Sequence, residues 1–447
     1  MPRYSKASIS HVLTLFVFWL ATVLAISSVS QAATGQILHR FTGGADGGPV
    51  YAGLILDDAG NLYGTTTGGG DPACSGGCGT VFKLTRGQNG VWAESVLYSF
   101  AGGIDGVGPS ANLVFDSAGN LYGTTQLGGS SNCTEGCGTV FELSPRDGGW
   151  EETVLYRFAG GDDGAYPAAS LTLDSAGNLY GTTFEGGIAG TIFELSPTPD
   201  ATWTETVLYR FTGGLDGGSP LASLIFDRTG SIYGTAAAGG KYGAGVVFKV
   251  ISTSIGDWTE TVLHNFSGGA DGATPFAGLT FDSGGDLYGT TYFGGDPTCI
   301  DGCGTAFVLE PLPGGAWKEK LLHAFRGGRD GIGPQCKLVF DSDRNLYGTT
   351  ITGGSNSDCA GNGPTGCGTV FELSPTNGGW RETILHRSVG GRDGVYPQAG
   401  VVLDAAGNLY GTSAYGGGGD ACKNDGCGVA FEIMPPSRTQ HSGAIRP

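Results

Sequence analysis

Methionine is almost missing from this 447-residue chain (2 residues), charged residues are few (14%), and cations are outnumbered, with 23 Lys and Arg against 41 Asp and Glu. The shortage of cations argues against a nucleic-acid surface, which relies on Lys and Arg to displace counterions from phosphates. No stretch carries apolar residues at the spacing of an amphipathic helix, so a helical bundle is excluded. Signatures of common catalytic machinery are missing too: there is no Gly-x-Ser-x-Gly elbow, no His-Glu-x-x-His pair and no phosphate loop. What the chain has in abundance is glycine, 86 residues, without the three-residue period of collagen. Aromatics at 10% argue against disorder, which leaves turn-dense β structure.

Residues 1–32 differ from the rest. Arg3, Lys6 and His11 precede an apolar run over 12–26, and small polar residues lead to Ser30-Gln31-Ala32. This reads as a signal peptide over 1–32, predicting a secreted or periplasmic protein; an uncleaved anchor is the alternative. No later run reaches the ~20 residues that span a bilayer, so no transmembrane segment is expected after cleavage. Removing Arg3 and Lys6 leaves 21 basic against 41 acidic residues (23 − 2 against 41). Such a surface suits cations, basic partners or neutral glycans better than nucleic acid.

One heptad, GNLYGTT, recurs at 60–66, 119–125 and 177–183, and its Tyr is found seven times, as Tyr63, Tyr122, Tyr180, Tyr233, Tyr288, Tyr347 and Tyr410. Periods of 53 to 63 residues indicate propellers or solenoids, whose units bury their apolar faces only against neighbours. Each copy holds four short β-like runs. The first resembles ANLVFD (111–116), the second is NLYGTT, the third resembles GTVFEL (138–143), and the fourth resembles WEETVLYRF (150–158). Between the first two lies DSAGN or a relative, in which Asp starts a turn and Gly takes the positive φ that closes a hairpin. Only six fourth runs are led by Trp, at positions 92, 150, 203, 258, 317 and 380. The chain opens on an orphan QILHRF (36–41) and its last repeat stops at a third run, GVAFEI (428–433). The predicted fold is therefore all-β: a seven-bladed β-propeller of four-stranded blades over 33–434, closed by the N-terminal strand completing the last blade, with a tail at 435–447. An open β-solenoid is the alternative.

The combination G-G-x-D-G-x-x-P, D-x-x-G-N-L-Y-G-T-T and C-G-T-V-F-E-L over residues 37–433 resembles the GloVer tandem repeat of bacterial secreted proteins. That resemblance implies an extracellular propeller-like array with no established activity, so no catalytic residue is carried over. A weaker similarity is to kelch repeats.

The loops from a fourth strand to the next first strand place Asp46, Asp105, Asp163, Asp216, Asp271, Asp330 and Asp393 around one face. Seven carboxylates near a channel mouth would draw a cation, so they are candidate calcium ligands; the competing reading is that each caps its own turn. No cofactor is required by anything in the sequence. Ten cysteines pair by position in the loops between second and third strands: Cys74/Cys78, Cys133/Cys137, Cys299/Cys303, Cys359/Cys367 and Cys422/Cys427. They fall in the five long loops and are missing from the two short ones, which predicts local disulfides, with zinc as the alternative. Cys336 is left over, and is expected to be buried.

His39, His264, His323 and His386 occupy a position that is Tyr98, Tyr156 and Tyr209 in other blades, so they read as packing. A binding or catalytic site on a repeated scaffold should lie where the repeats disagree. The candidate ligand-binding residues on that basis are Arg329, Arg392, Asp162, Tyr166, Tyr396, Lys241, Tyr242 and Glu185. The expected function is a non-catalytic binding or scaffold propeller for a glycan, a cell-envelope polymer or an extracellular protein. The alternative is a polysaccharide hydrolase or lyase using rim carboxylates, which calls for two carboxylates in unequal environments.

Overall fold

The computed structural model describes residues 33–253, 256–354, 359, 366–418, 422 and 426–435. The expected signal peptide and all but the first residue of the expected tail lie outside them. The chain forms seven four-stranded antiparallel sheets, and together they make a seven-bladed propeller. In blade 1 the inner strand is Ile55–Leu56, followed by Leu62–Thr66, Thr80–Arg86 and the outer strand Trp92–Ser99. Blade 7 consists of Val402–Leu403, Leu409–Ser413 and Val429–Met434, and takes Thr34–Arg40 as its outer strand. Thr34 faces Met434 and Arg40 faces Val429 in that pairing, so the two chain ends close the ring and neither leaves an open edge.

Each letter of the heptad has a task. In blade 1, Gly60 takes φ 83° in the hairpin turn. Asn61 donates its backbone N–H and its side-chain amide to the two carboxylate oxygens of Asp57, both at 2.8 Å, and the Tyr63 hydroxyl donates to the same carboxylate at 3.0 Å. Leu62 is fully buried. A Cβ at Gly64 would stand 2.6 Å from Cζ of Phe82, and the corresponding glycine meets the third-strand Phe in all seven blades. Thr65 donates to the carbonyl of Ala111 in the next blade at 3.3 Å, a link repeated at all seven seams between 2.6 and 3.5 Å. Thr66 bonds Thr80 on the third strand at 2.9 Å. The repetition therefore encodes the turn, the aromatic core and the bond from blade to blade.

The seams also hold a row of aromatic pairs. A Phe ending each outer strand meets the third-strand Phe of the following blade edge-on or tilted, with centroids 4.8 to 5.2 Å apart, as in Phe100 with Phe141. Blade 6 breaks the pattern, because Ser388 stands where the Phe should be and is buried beneath the last blade.

All five predicted cysteine pairs are disulfides: Cys74–Cys78, Cys133–Cys137, Cys299–Cys303, Cys359–Cys367 and Cys422–Cys427. The thiols are therefore held by one another rather than by zinc. Both members of each pair lie between the second and third strands, as the sequence places them, but the second member is not at the loop surface. Cys78, Cys137, Cys303, Cys367 and Cys427 are fully buried and belong to the core, not to the loop surface, so none of them offers a sulfur to a ligand. The reason is position. Each directly precedes the glycine at the start of the third strand, where the chain has already turned back into the blade. There the sulfur lies under the loop entering the next blade: a Cβ at Gly102 would stand 2.8 Å from Cys78 Sγ, and one at Gly160, Gly327 or Gly390 would stand 3.3 to 3.4 Å from Cys137, Cys303 or Cys367 Sγ. Cys427 packs instead against the first loop, since a Cβ at Gly48 would stand 2.7 Å from its Cβ. Each bridge thus tacks a long loop to the blade core. Cys336 is free and buried; its sulfur accepts the Thr349 N–H at 3.1 Å.

Candidate functional site

The loops entering each blade lie beside the loops between its second and third strands, joined by short bridges such as Val107 to Leu127 and Ala165 to Glu185. On this face the central channel opens into a cavity of about 880 Å³. Two rings of residues, one per blade, form its wall. The outer ring is Tyr51, Ser110, Ala168, Leu221, Phe276, Gln335 and Gln398, and the inner ring runs through Asn112, Ser170, Ser223, Gly278, Lys337 and Gly400, with Gly53 at the equivalent place in blade 1. The residues flanking the inner ring barely vary: Ala or Cys before it, Leu or Val after it. The fold thus holds the residues flanking the inner ring nearly constant while letting two positions per blade change.

Neighbours within the inner ring are tied together. The Gly53 N–H donates to Asn112 Oδ1 at 2.7 Å, and the Asn112 N–H donates to Ser170 Oγ at 3.0 Å. At the mouth the hydroxyls of Tyr51 and Tyr415 are hydrogen-bonded, and burial together with that contact pushes the Tyr51 hydroxyl far above its usual range. Phe276 packs edge-on against Tyr292 with centroids 5.5 Å apart. The cavity is therefore faced with amides, hydroxyls and aromatic rings beside Ala, Leu and Val, and among the described residues Lys337 is its one charged wall residue.

The seven candidate calcium aspartates are elsewhere. None lines the channel. The loop turns back as soon as it leaves the outer strand, so the Asp stays beside that strand: Asp46 accepts from the Thr42 N–H at 2.9 Å, Asp105 from Ala101 at 2.6 Å and Asp330 from Arg326 at 2.7 Å. Each Asp also meets the outer-strand ring seven residues earlier. Tyr98 donates to Asp105 at 2.8 Å and Tyr209 to Asp216 at 3.1 Å, while His386 Nε2 lies 3.1 Å from Asp393. Asp163 and Asp271 are held the same way, by Tyr156 and Ala159 and by Ser267 and His264.

A residue that sequence reasoning passed over completes these seams. Glu94, Glu152, Glu205, Glu260, Glu319 and Glu382, two positions into the outer strand after its Trp, each turn a carboxylate oxygen into the seam, where it is buried without a hydrogen-bond partner. Burial, and then the adjacent Asp, push Glu152, Glu205, Glu260 and Glu319 up to about 7. Glu382 goes up to about 9 through burial and its contact with Asp330. Burial works against Asp330 as well, but hydrogen bonds from His323 and Glu382 outweigh it and hold it below its usual range. In this seam His323, Asp330 and Glu382 bring three potential ligand atoms within 4.8 Å of one another. The seam between blades 6 and 7 has no such Glu, because Gly35 takes its place opposite His386.

The symmetry-breaking candidates are not gathered into one site. Asp162, Arg329 and Arg392 occupy the same exposed loop position in different blades, and their backbone carbonyls accept from Arg210, Arg387 and Arg40 on the next outer strand. Tyr166 and Tyr396 sit at φ 58° and 60° where the chain turns toward the channel. Glu185 is exposed beside the Tyr166 loop, and the Lys241 ammonium lies 5.0 Å from the exposed ring of Tyr242. None of the eight is in the channel wall.

A model of the Gloeobacter/Verrucomicrobia repeat matches residues 22–248, 130–361 and 223–443 in overlapping spans. The chain belongs to this repeat family. No curated protein matches it. Among solved structures, a putative 6-phosphogluconolactonase from Bacteroides uniformis is 14% identical, covering 80% of this chain and 88% of that one, at a TM-score of 0.47. A protein of unknown function from Dyadobacter fermentans is 12% identical over 91% of this chain and 99% of its own, at 0.45. A putative oxidoreductase (glucose dehydrogenase) from Thermus thermophilus is 14% identical over 90% and 100%, at 0.43.

Proposed function

We propose that this repeat protein is an exported binding propeller that takes a polar ligand of saccharide type at the mouth of its channel. One observation carries the reading: two rings of residues that differ from blade to blade line the 880 Å³ cavity, while the residues flanking the inner ring repeat. A cavity of that size suits a small ligand or the end of a chain. Asn112, Ser170, Ser223 and Gln335 offer donors and acceptors for hydroxyl groups, and Tyr51 and Phe276 offer faces for sugar rings. Five disulfides support residence in an oxidising compartment. The test is a thermal-shift screen of the protein against bacterial and plant oligosaccharides; a ligand at 100 times its Kd stabilises by about 2.7 kcal/mol. Asn112→Ala and Ser223→Ala should abolish any shift, and a shift that both variants retain would sink the channel reading.

The hydrolase or lyase reading draws on the seam between blades 5 and 6, where Asp330 is held low and Glu382 high, the opposed pair that acid–base chemistry uses. The same three residues are the best candidates for a bound cation. Release of reducing ends or unsaturated products from a polysaccharide, lost in Glu382→Gln, would establish it.

A further inference from the structure

The inner ring of the channel is neutral in six blades and charged in one. Among the described residues Lys337 is the single charged side chain in the cavity wall, in a chain where acids outnumber bases 41 to 23. Among the described residues its ammonium makes no ion pair and no hydrogen bond, whereas Gly53, Asn112 and Ser170 elsewhere in the ring are tied to one another. The residue is exposed to the channel, and the surrounding channel wall lowers the ammonium pKa, with no carboxylate to restore it. The two ring positions beside it are both glycine. Neither has a left-handed φ, so the backbone does not call for glycine there. What the missing side chains provide is space. A Cβ at Gly278 would stand 3.7 Å from Lys337 Cδ and 2.4 Å from Ser223 Oγ, and a Cβ at Gly400 would stand 2.7 Å from the Lys337 carbonyl oxygen. The lysine stem thus lies against the bare wall of blade 5 with Ser223 beyond it.

We infer that Lys337 is the anchor for a single carboxylate on the channel ligand, which makes the ligand a sugar acid presented at a chain end. This rests on the proposed channel reading and narrows it. An unpartnered ammonium facing a channel offers an anion a charge-assisted hydrogen bond. One cation matches a monoanion and leaves a phosphate monoester half neutralised. A polyanionic chain is disfavoured by the acid excess of the protein, whereas one terminal uronate among neutral sugars meets Lys337 with its carboxylate and the amides and hydroxyls of the ring with the rest. A bare carboxylate and a sugar acid share the charge, so the test separates them.

The probes are an aldobiouronic acid (glucuronate linked to one neutral sugar), its methyl ester, which differs only in charge, and acetate. Each is titrated calorimetrically into the wild-type protein, Lys337→Gln and Lys337→Arg, with melting temperature confirming that the variants fold. The expected result is tight binding of the acid, at least tenfold weaker binding of the ester, negligible binding of acetate, and loss of the acid's advantage in Lys337→Gln with partial retention in Lys337→Arg. Equal binding of acid and ester, or an unchanged advantage in Lys337→Gln, overturns the assignment of Lys337 while the channel reading stands. Acetate binding as well as the acid overturns the sugar component. Binding of neither saccharide overturns the inference, and if the neutral oligosaccharide screen is also silent the channel reading falls with it.

Discussion

Replacing two seam glutamates with glutamine should make the protein insensitive to part of its pH dependence, and the sign follows from the direction of their pKa shifts. Glu205 and Glu260 are lifted from 4.5 to about 7 by burial and by the Asp beside them, Asp163 and Asp216. The folded state therefore binds their protons more tightly than the unfolded state. The stability this gives is fully present below about pH 4.5 and is lost as pH rises through about 7. At ~1.4 kcal/mol per pH unit the lift corresponds to roughly 3 kcal/mol for each Glu. The seams are partly hydrated, so about 1 kcal/mol each is the working figure. Glutamine has the shape of the protonated acid and no charge to desolvate. The double variant Glu205→Gln/Glu260→Gln should equal wild type at pH 5 and exceed it by about 2 kcal/mol at pH 8, measured by urea unfolding at both pH values. Comparing variant with wild type cancels the general effect of pH on an acidic chain. If the variant is instead weaker than wild type at pH 8, and EDTA removes the difference, the seam carboxylates hold a calcium ion and the reasoning from raised pKa values is refuted. A difference that does not change with pH refutes it as well.

Three other outcomes follow from the packing. Gly123→Ala places a Cβ 2.5 Å from Cζ of Phe141 and 3.0 Å from Leu113 Cδ2, and should cost about 2 to 3 kcal/mol in urea unfolding, with Phe141→Leu restoring part of it. The seam between blades 6 and 7 has Ser388 in place of the aromatic edge and Gly35 in place of the Glu. Native-state hydrogen exchange should find its amides opening before those of the other six seams, and uniform protection would contradict this. Asp57→Ala removes the acceptor for the Ala59 and Asn61 N–H groups, the Asn61 amide and the Tyr63 hydroxyl; a loss of about 2 to 4 kcal/mol is expected in thermal unfolding.

The ring, its seven blades and its closure were legible because the propeller writes its local rules into every copy: Asp57 to Tyr63 lies within seven residues, and the orphan strand at 36–41 matches the missing half of blade 7. The disulfide pairing was legible for the same local reason, but the depth of Cys78 and its counterparts was not, because spacing along a loop does not reveal which end of it returns to the core. The seam pairs were hidden for a physical reason. Glu152 meets Asp105 across two blades and 47 positions (152 − 105), and nothing local to either residue marks the other. Their trace in the sequence is the Glu two places after each outer-strand Trp, present six times. The aspartates were read toward the channel because loop composition does not reveal where a glycine-rich loop turns back; the turn over Thr42 to Asp46 keeps the carboxylate at the outer strand. Lys337 was visible as the odd letter between Cys336 and Leu338, in a column that is otherwise Gly, Ser or Asn. Its place was not legible because only closure of the ring brings the first-strand columns of the blades to one cavity.

The most direct measurement is amide hydrogen exchange over the whole chain, with and without the saccharide that gives the largest shift in the oligosaccharide screen. Binding at the channel mouth predicts protection in residues 51–54, 110–113, 168–171, 221–224, 276–279 and 335–338, which converge on the cavity wall. Protection confined to the outer loops at 42–46, 160–163, 326–330 and 390–393, with the wall unchanged, would contradict it.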